Sequence, residues 1–294
     1  MKIGFLWFGL KGRYGHWDDG LKAAMRIIEK HHEVHYIEPT DDFSAMDVLL
    51  FWEAGCTRDG KDGAMYKKVQ ESPIRKALLF AGGPIKDEYF QNFDMVFVES
   101  AINEDELSVY GIPNKRAFGV NTDMFKPEKQ PKIWDGAFQA TCASWKRLEL
   151  FSKALGDRGV TCGRFQSEDP QPHIDCRANG TMVFPEISYP AINSLINASH
   201  TVVNCSEMWG GGQRTTLESM AAGIPVIVMS DSPKNREFVE ESGAGLIVEP
   251  KPEKIREAIL TIKTWSEDEK RKGRKYVEGK WSQNHYANSI LEWL

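Results

Sequence analysis

The sequence predicts an α/β protein of two domains, each built on a largely parallel sheet. Short apolar runs alternate with helix-like amphipathic runs through most of the chain, which is typical of parallel strands joined by helices. A length of 294 residues suits two domains of ordinary size. A polar stretch at residues 125–132 holds two prolines and four charged residues. We therefore expect domains at 1–125 and 126–294.

In the first half, a strand, a glycine-rich loop and a helix follow one another. Ile3–Phe8 is a short apolar run, and the loop Gly9–Gly15 comes directly after it. Residues 21–30 then place several apolar side chains on one helix face. Further buried strands are predicted at Val34–Ile37, Val48–Trp52, Ala77–Phe80 and Met95–Val98, and Arg116–Val120 closes this half.

The second half starts the alternation again. Strands are predicted at Ala137–Ala143, Thr181–Phe184, Thr201–Cys205, Val226–Met229 and Leu246–Val248. Helices are predicted at Lys146–Leu155, Ile192–Ala198, Gln213–Ala222, Pro252–Thr264 and Glu267–Lys280. A last amphipathic segment, Tyr286–Leu294, is expected to pack back on the N-terminal domain.

Composition excludes several classes of protein. A hydrophobic content of 41% and a charged content of 27% are those of a globular chain, not a disordered one. A net charge of -5 gives no support to a partner bound mainly through phosphate neutralisation. Five scattered cysteines, an odd number, indicate reduced thiols, and no apolar run approaches the length of a membrane span. We expect a cytoplasmic protein with no metal site; the oligomeric state stays open.

The chemistry is concentrated between Cys205 and Pro225. A strand ends, the three glycines Gly210–Gly212 follow, and a helix starts at Gln213. Glycines allow close backbone approach to a ligand, and the helix start offers unpaired N–H groups, so this arrangement suits a diphosphate. Glu218, one turn further on, can accept hydrogen bonds from two vicinal hydroxyls. The candidate donor-binding residues here are Gly211, Gly212, Gln213, Arg214, Thr215 and Glu218.

The N-terminal loop is a second candidate for ligand contact. Gly12 lies at its centre, and we include it among the donor-binding residues. His16 follows the loop and is a candidate catalytic residue; a surface or capping histidine is the alternative. The loop spacing, G-x-x-G-x-x-G, differs from the G-x-G-x-x-G of dinucleotide-binding proteins.

The run from Glu218 to Ile227, ESMAAGIPVI, resembles part of the donor-binding signature of retaining glycosyltransferases with the GT-B fold, family 4 in particular. In that family a glutamate stands eight residues before the one that matches Glu218. Gly210 occupies that place here, and Glu207 is the candidate replacement. The resemblance implies that Glu218 holds the donor ribose and that Glu207 contacts the sugar.

Two further segments resemble the same family. Gly119–Pro127 is similar to the link that ends its N-terminal domain. Lys146 falls where the family has a lysine for the donor diphosphate, which makes it a candidate catalytic residue. The family's arginine, five residues before that lysine, is replaced by Thr141, and Arg147 or Arg214 can compensate.

The resemblance implies two Rossmann-like domains with the active site in the cleft between them. It implies transfer of a sugar from a UDP- or GDP-sugar, with retention of configuration and without a cofactor or a protein nucleophile. Lys146 and the start of the helix at Gln213 would stabilise the leaving diphosphate. The sequence contains no Asp-x-Asp triplet, which agrees with metal-independent transfer.

Other functions remain open at this level. A sugar-nucleotide epimerase or phosphorylase of the same fold would share the donor site, as would a catalytically silent module that binds nucleotides or carbohydrates. The acceptor is not identified by the sequence: a saccharide, a lipid, a small molecule, a protein and a modified nucleic-acid base all fit.

Overall fold

The chain divides into two units, each with its own sheet. The computed structural model describes residues 1–7, 20–37, 41–52, 71–80, 85, 90–163, 170–207 and 211–294. One unit comprises Met1–Gly119 with Gln283–Leu294, and the other comprises Val120–Ser282. Each unit contains a six-stranded sheet in which every described strand pair is parallel. The prediction of an α/β fold with parallel sheets is confirmed.

The sheet of the first unit has the strand order β2-β1-β3-β4-β5-β6. Its strands are β1 (Lys2–Trp7), β2 (Glu33–Ile37), β3 (Val48–Trp52), β4 (Arg75–Phe80), β5 (Met95–Val98) and β6 (Asn114–Arg116). The described helices of this unit are Gly20–Ile28, Ala101–Val109 and Gln283–Trp293. Alternate residues of β3 and β4 point to opposite sides of the sheet, so each side has its own apolar cluster.

The C-terminal helix completes one of these clusters. Tyr286, Ala287 and Ile290 are buried against Leu21 and other residues of helix Gly20–Ile28. The end of the chain is also held in place within this unit. The Arg75 guanidinium donates to the Trp293 carbonyl at 2.7 Å and lies 4.3 Å from the centre of its ring.

The sheet of the second unit has the strand order β12-β11-β10-β7-β8-β9. Its strands are β7 (Trp134–Gln139), β8 (Gly159–Cys162), β9 (Met182–Phe184), β10 (Ser199–Asn204), β11 (Val226–Met229) and β12 (Gly245–Val248). Its helices are Leu148–Leu155, Gln171–Ala178, Tyr189–Asn197, Gln213–Ala221, Pro233–Ser242, Pro252–Lys263 and Glu267–Lys280, with short 3-10 turns at Ser144–Lys146 and Gly156–Arg158. Counted from β7, this order is 3-2-1-4-5-6, that of a dinucleotide-binding Rossmann sheet.

Several elements differ from the sequence prediction. The helix predicted over Lys146–Leu155 begins only at Leu148, because Arg147 adopts a left-handed conformation with φ 49° and separates it from the turn Ser144–Lys146. The sequence analysis also missed strand β8 and helices Ala101–Val109, Gln171–Ala178 and Pro233–Ser242. These helices are short and polar, so an apolar stripe does not mark them.

Candidate functional site

The strand order of the second unit determines where a ligand is expected. Strands β7 and β10 are neighbours, and the chain leaves them in opposite directions across the sheet. In open α/β sheets, ligands bind outside the carboxyl ends of the strands at such a switch point. Strand β7 ends at Gln139 and β10 ends at Asn204. The turn Ser144–Lys146 follows the first, and the glycine-rich loop follows the second.

The two described glycines of that loop require their residue type. Gly211 and Gly212 have φ values of 66° and 100°, which L side chains rarely adopt. A Cβ atom on Gly212 would lie 2.5 Å from Nδ2 of Asn204 and 3.0 Å from Oγ of Ser206. The backbone at Gly212 therefore passes too close to the end of β10 for any side chain, directly before helix Gln213–Ala221.

A buried network of asparagine and threonine side chains holds the glycine loop in place. The Asn204 amide donates to the Gly212 carbonyl at 2.9 Å, and the Asn235 amide approaches the Gly211 carbonyl at 3.2 Å. The hydroxyl of Thr216 donates to Asn235 Oδ1 at 2.9 Å. Sequence reasoning missed Asn204 and Asn235, although an asparagine that ends a buried strand is a signal that could have found the first.

Helix Gln213–Ala221 is followed by a left-handed glycine, Gly223. Gly223 has φ 72°, and its N–H donates to the Met220 carbonyl at 2.9 Å. The N–H of Ile224 donates to the Ser219 carbonyl at 3.0 Å. These two bonds form the Schellman motif that satisfies the last carbonyls of a helix.

Lys146 and the glycine loop meet at one point. The Lys146 ammonium lies 3.6 Å from the position that a Cβ atom would take on Gly211. The structure therefore brings together a cation, a left-handed glycine pair and the N-terminus of a helix, although Lys146 precedes that loop by more than sixty residues. Backbone N–H groups and a positive dipole end, joined by a lysine, form an anion-binding arrangement.

Arg147 makes structural contacts within the same unit. Its guanidinium forms a two-pronged ion pair with Asp231, at 2.7 and 2.9 Å, and its Nε donates to the Cys205 carbonyl at 2.6 Å. The hydrogen bond from Arg147 holds the pKa of the Asp231 carboxyl below its usual value. A contact between Arg147 and a bound donor would have to compete with these bonds.

Glu218 is almost completely buried, with 2% of its surface exposed. The Gln139 amide donates a short hydrogen bond to its Oε2. The Thr215 hydroxyl donates to the Gln139 carbonyl at 3.0 Å, so it connects the helix to strand β7. Gln213, like Glu218, has 2% of its surface exposed, and Arg214 is half-buried.

Glu207 lies beside the turn that carries Lys146. Its N–H donates to the Trp145 carbonyl at 3.2 Å, and the residue is exposed. Trp145 itself exposes 36% of its surface. The predicted residues Gly12, His16 and Gly210 lie outside the described residues, so the structure assigns them no place.

The described ranges contain neither a metal-ligating cluster nor a helix that could span a membrane. No cluster of three His, Cys, Asp or Glu side chains there is arranged to hold a metal ion. Among the described helices, none is long and apolar enough to cross a membrane. Cys142, Cys162, Cys176 and Cys205 are buried and form no disulfide bond, and burial raises the pKa of Cys176 to about 11.

Comparison with known proteins shows what part of this site is similar to. Residues 177–278 match the family model described as glycosyl transferases group 1. That region contains the glycine loop and helix Gln213–Ala221 with Glu218, while Gln139 and Lys146 precede it. Both sheets match solved glycosyltransferase structures along the whole chain, as detailed below. The chain is a glycosyltransferase.

Three solved structures illustrate the fold of this glycosyltransferase. Sucrose-phosphate synthase from Thermosynechococcus elongatus aligns with a TM-score of 0.77 at 12% identity, covering 100% of this chain and 98% of that one. A glycosyltransferase from Rickettsia africae gives 0.70 at 16% identity, covering 99% and 97%. HepE from Anabaena, solved with UDP and glucose, gives 0.70 at 13% identity, covering 100% and 99%.

These similarities establish the GT-B fold with two Rossmann-like domains, as predicted. At such low identity they carry the fold alone. Among curated proteins, no sequence matches this glycosyltransferase significantly. The family match over residues 177–278 supports sugar transfer, and the donor and acceptor need a separate argument.

Proposed function

We propose that this glycosyltransferase transfers a sugar from a UDP- or GDP-sugar to an acceptor, with retention of configuration. One observation carries the proposal: the Lys146 ammonium, the left-handed pair Gly211–Gly212 and the N-terminus of helix Gln213–Ala221 converge on one point. A nucleoside diphosphate presents the negative charge that such a point attracts. HepE, whose fold is similar, was solved with UDP and glucose, which supports the same ligand class here.

In the proposed mechanism, Glu218 and Lys146 have separate roles. Glu218, one to two turns along the helix from the glycine loop, would accept hydrogen bonds from the donor ribose. As the glycosidic bond breaks, negative charge collects on the departing diphosphate. The Lys146 ammonium and the helix N–H groups would stabilise that charge, and their effect would be largest in the transition state.

Retention requires the acceptor to enter on the face from which the diphosphate leaves. In the proposed mechanism a departing phosphate oxygen accepts the acceptor's proton, and the acceptor oxygen forms the new bond to the sugar on that face. Glu207 is proposed to contact the sugar, since it lies beside the turn that carries Lys146. His16 and Gly12 remain proposals for contacts from the N-terminal loop, and the N-terminal unit is proposed to bind the acceptor.

The cationic pocket also leads us to propose that no metal ion is needed. In metal-dependent enzymes, a divalent ion neutralises the diphosphate. Here a lysine and a helix terminus would supply that positive potential. We expect turnover to persist in excess EDTA, and loss of activity that magnesium or manganese restores would contradict the proposal.

Two measurements test the function. In a thermal-shift screen of UDP- and GDP-sugars, the true donor at 100 times its Kd should stabilise the protein by about 2.7 kcal/mol. Incubation of that donor with candidate acceptors should then release the nucleoside diphosphate. Stabilisation without any release would favour the silent binding module, and the absence of both would contradict the proposal.

A further inference from the structure

Gln139 contacts helix Gln213–Ala221 through both its main chain and its side chain. It is the last residue of β7, one of the two strands at the switch point, and 9% of its surface is exposed. Its carbonyl accepts the Thr215 hydroxyl at 3.0 Å, and its amide Nε2 donates to Oε2 of Glu218. The residue therefore connects the end of the strand directly to the buried carboxylate.

Only the NH2 group of the Gln139 side-chain amide has a hydrogen-bond partner among the described residues. Its Oε1 is buried and has no hydrogen-bond partner among the described residues. A buried acceptor without a partner destabilises a fold, and such atoms are uncommon. Among the described residues, the hydrogen bond to Glu218 is therefore the one polar contact of the Gln139 side chain.

The surroundings of the Glu218 carboxylate explain why its hydrogen bond from Gln139 matters. A buried carboxylate needs hydrogen bonds to remain charged. Cys162, which pairs with Gln139 in the β7–β8 register, is close enough for the charge on Glu218 to act on its thiol. Burial, and then Glu218, raise the pKa of that thiol to about 12, so it stays neutral at physiological pH. Gln139 thus donates a hydrogen bond to the carboxylate, and the neighbouring thiol is neutral.

We propose that Gln139 is a positioning residue that orients the Glu218 carboxylate toward the donor ribose. This inference rests on the proposed function of Glu218. A hydrogen bond to Oε2 restricts rotation of the carboxylate and thereby the directions of both its oxygens. The oxygens are then held ready to accept the two vicinal hydroxyls of a ribose, with less rotational freedom to lose when the nucleotide binds.

The test compares ribose with deoxyribose ligands. Gln139→Met keeps the length and flexibility of the side chain and removes the donor. We expect it to weaken the binding of UDP or GDP, whichever the enzyme prefers, by about tenfold, the scale of a lost hydrogen bond to a charged group. The affinity for the matching 2′-deoxynucleoside diphosphate should change by less than about twofold, because a ligand that lacks one hydroxyl depends less on Glu218.

Thr161→Val is the matched control. The Thr161 hydroxyl donates to the Phe138 carbonyl at 2.8 Å and is fully buried. Removing this hydroxyl takes a hydrogen bond away from Phe138, the residue before Gln139 in β7, and leaves the Gln139–Glu218 contact in place. We expect this variant to keep the wild-type preference for ribose over deoxyribose.

A second variant adds a pH readout that packing alone would not produce. In Gln139→Glu, two carboxyl groups share one site, and at neutral pH they repel each other. As the pH falls and the pair takes up one proton, the new carboxyl can donate to Glu218 as the amide did. We expect its UDP or GDP affinity to rise as the pH falls from about 8 to about 5, by more than in the wild type.

The outcomes separate this inference from the proposed function. If the wild type binds neither UDP nor GDP, the proposed function and the inference both fail. If Glu218→Ala removes the preference for ribose but Gln139→Met binds both nucleotides as the wild type does, or loses the same factor for both, only the inference fails. Should Gln139→Met not fold, Gln139→Asn, whose shorter amide cannot reach Glu218, takes its place with the same expected result.

Discussion

At the residue scale, the backbone of Arg147 is unusual. It is the only non-glycine residue with positive φ among the described residues. A side chain in this conformation costs about 1–2 kcal/mol. The ion pair with Asp231 and the bond to the Cys205 carbonyl tie the turn after β7 to the ends of β10 and β11. These contacts offset the strain directly beside Lys146.

Replacing Arg147 in two ways separates its contacts from its backbone. Arg147→Ala and Arg147→Gly both lose the ion pair, but only glycine adopts the left-handed conformation without strain. We expect Arg147→Gly to be more stable than Arg147→Ala by about 1 kcal/mol. Urea denaturation of the two variants measures the difference. Equal stabilities would show that the backbone at Arg147 is not strained.

The pH dependence of stability tests the same ion pair from its other side. Arg147 holds the pKa of Asp231 below its usual value of 3.8, so the charged pair stabilises the fold above that pH and loses its effect as the pH falls through the lowered pKa. Asp231→Asn should therefore cost at most about 1 kcal/mol at neutral pH, since the pair is partly exposed. The difference from the wild type should shrink once the pH falls below 3.8, as Asp231 becomes protonated. A constant difference at every pH would contradict the ion pair's role.

At the element scale, helix Gln213–Ala221 shows which features can be predicted from the sequence and which cannot. The glycines, the helix start and the Gly223 end follow from local residue types. The contacts that support this helix do not follow from local residue types. Arg274 lies in the basic run Lys270–Lys275, whose composition is that of a solvated face. It nevertheless donates to the Ala221 carbonyl at 2.9 Å and to the Phe125 carbonyl at 2.7 Å. Asn235 reaches the glycine loop from the next helix. Such contacts join distant residues, and local patterns contain no trace of them.

Gly212→Ala tests the close approach at the start of this helix. The added Cβ would meet Asn204 Nδ2 at 2.5 Å, and φ 100° is unfavourable for alanine. We expect a loss of stability of about 1–3 kcal/mol and at least about tenfold weaker nucleotide binding. Calorimetric titration and denaturation measure the two effects.

Gly243→Ala is the control for that substitution. Gly243 also has a left-handed φ, 61°, but nothing lies within 4 Å of its Cβ position. It should lose about 1 kcal/mol from the backbone alone and keep wild-type nucleotide affinity. If both variants bound nucleotide normally, the glycine loop would not be the nucleotide site.

At the scale of the whole molecule, periodicity sufficed for the fold class but not for the strand order. The alternation of apolar and amphipathic runs indicates parallel sheets wherever it occurs. Which strands become neighbours depends on pairings between distant segments, such as β7 with β10. Strand β8 was missed because its four residues, GVTC, include a glycine and a threonine and lack an apolar pattern. The meeting of Lys146 with Gly211 is a product of this topology, and the family resemblance, rather than local chemistry, suggested it.

The last helix makes the first unit depend on the end of the chain. Tyr286 exposes 2% of its surface. Its ring packs against Gly119 so closely that a Cβ atom on that glycine would lie 2.7 Å from Cδ1 of the ring. Tyr286→Ala should cost about 3–5 kcal/mol, measured by denaturation. Leu260→Ala, at a site 65% exposed, should stay within about 0.5 kcal/mol of the wild type. A small loss at Tyr286 would mean that this helix is not part of the core.

Steady-state kinetics of Lys146→Ala test most directly whether the point of convergence stabilises the leaving diphosphate. Charge on that group grows as the glycosidic bond breaks, so the lysine should matter more in the transition state than in the ground state. We expect kcat to fall about a hundredfold to a thousandfold while the donor KM changes little. Lys153→Ala, which removes an exposed lysine paired with Glu149, should leave both constants unchanged. A Lys146→Ala enzyme with near-normal kcat would contradict the proposed site.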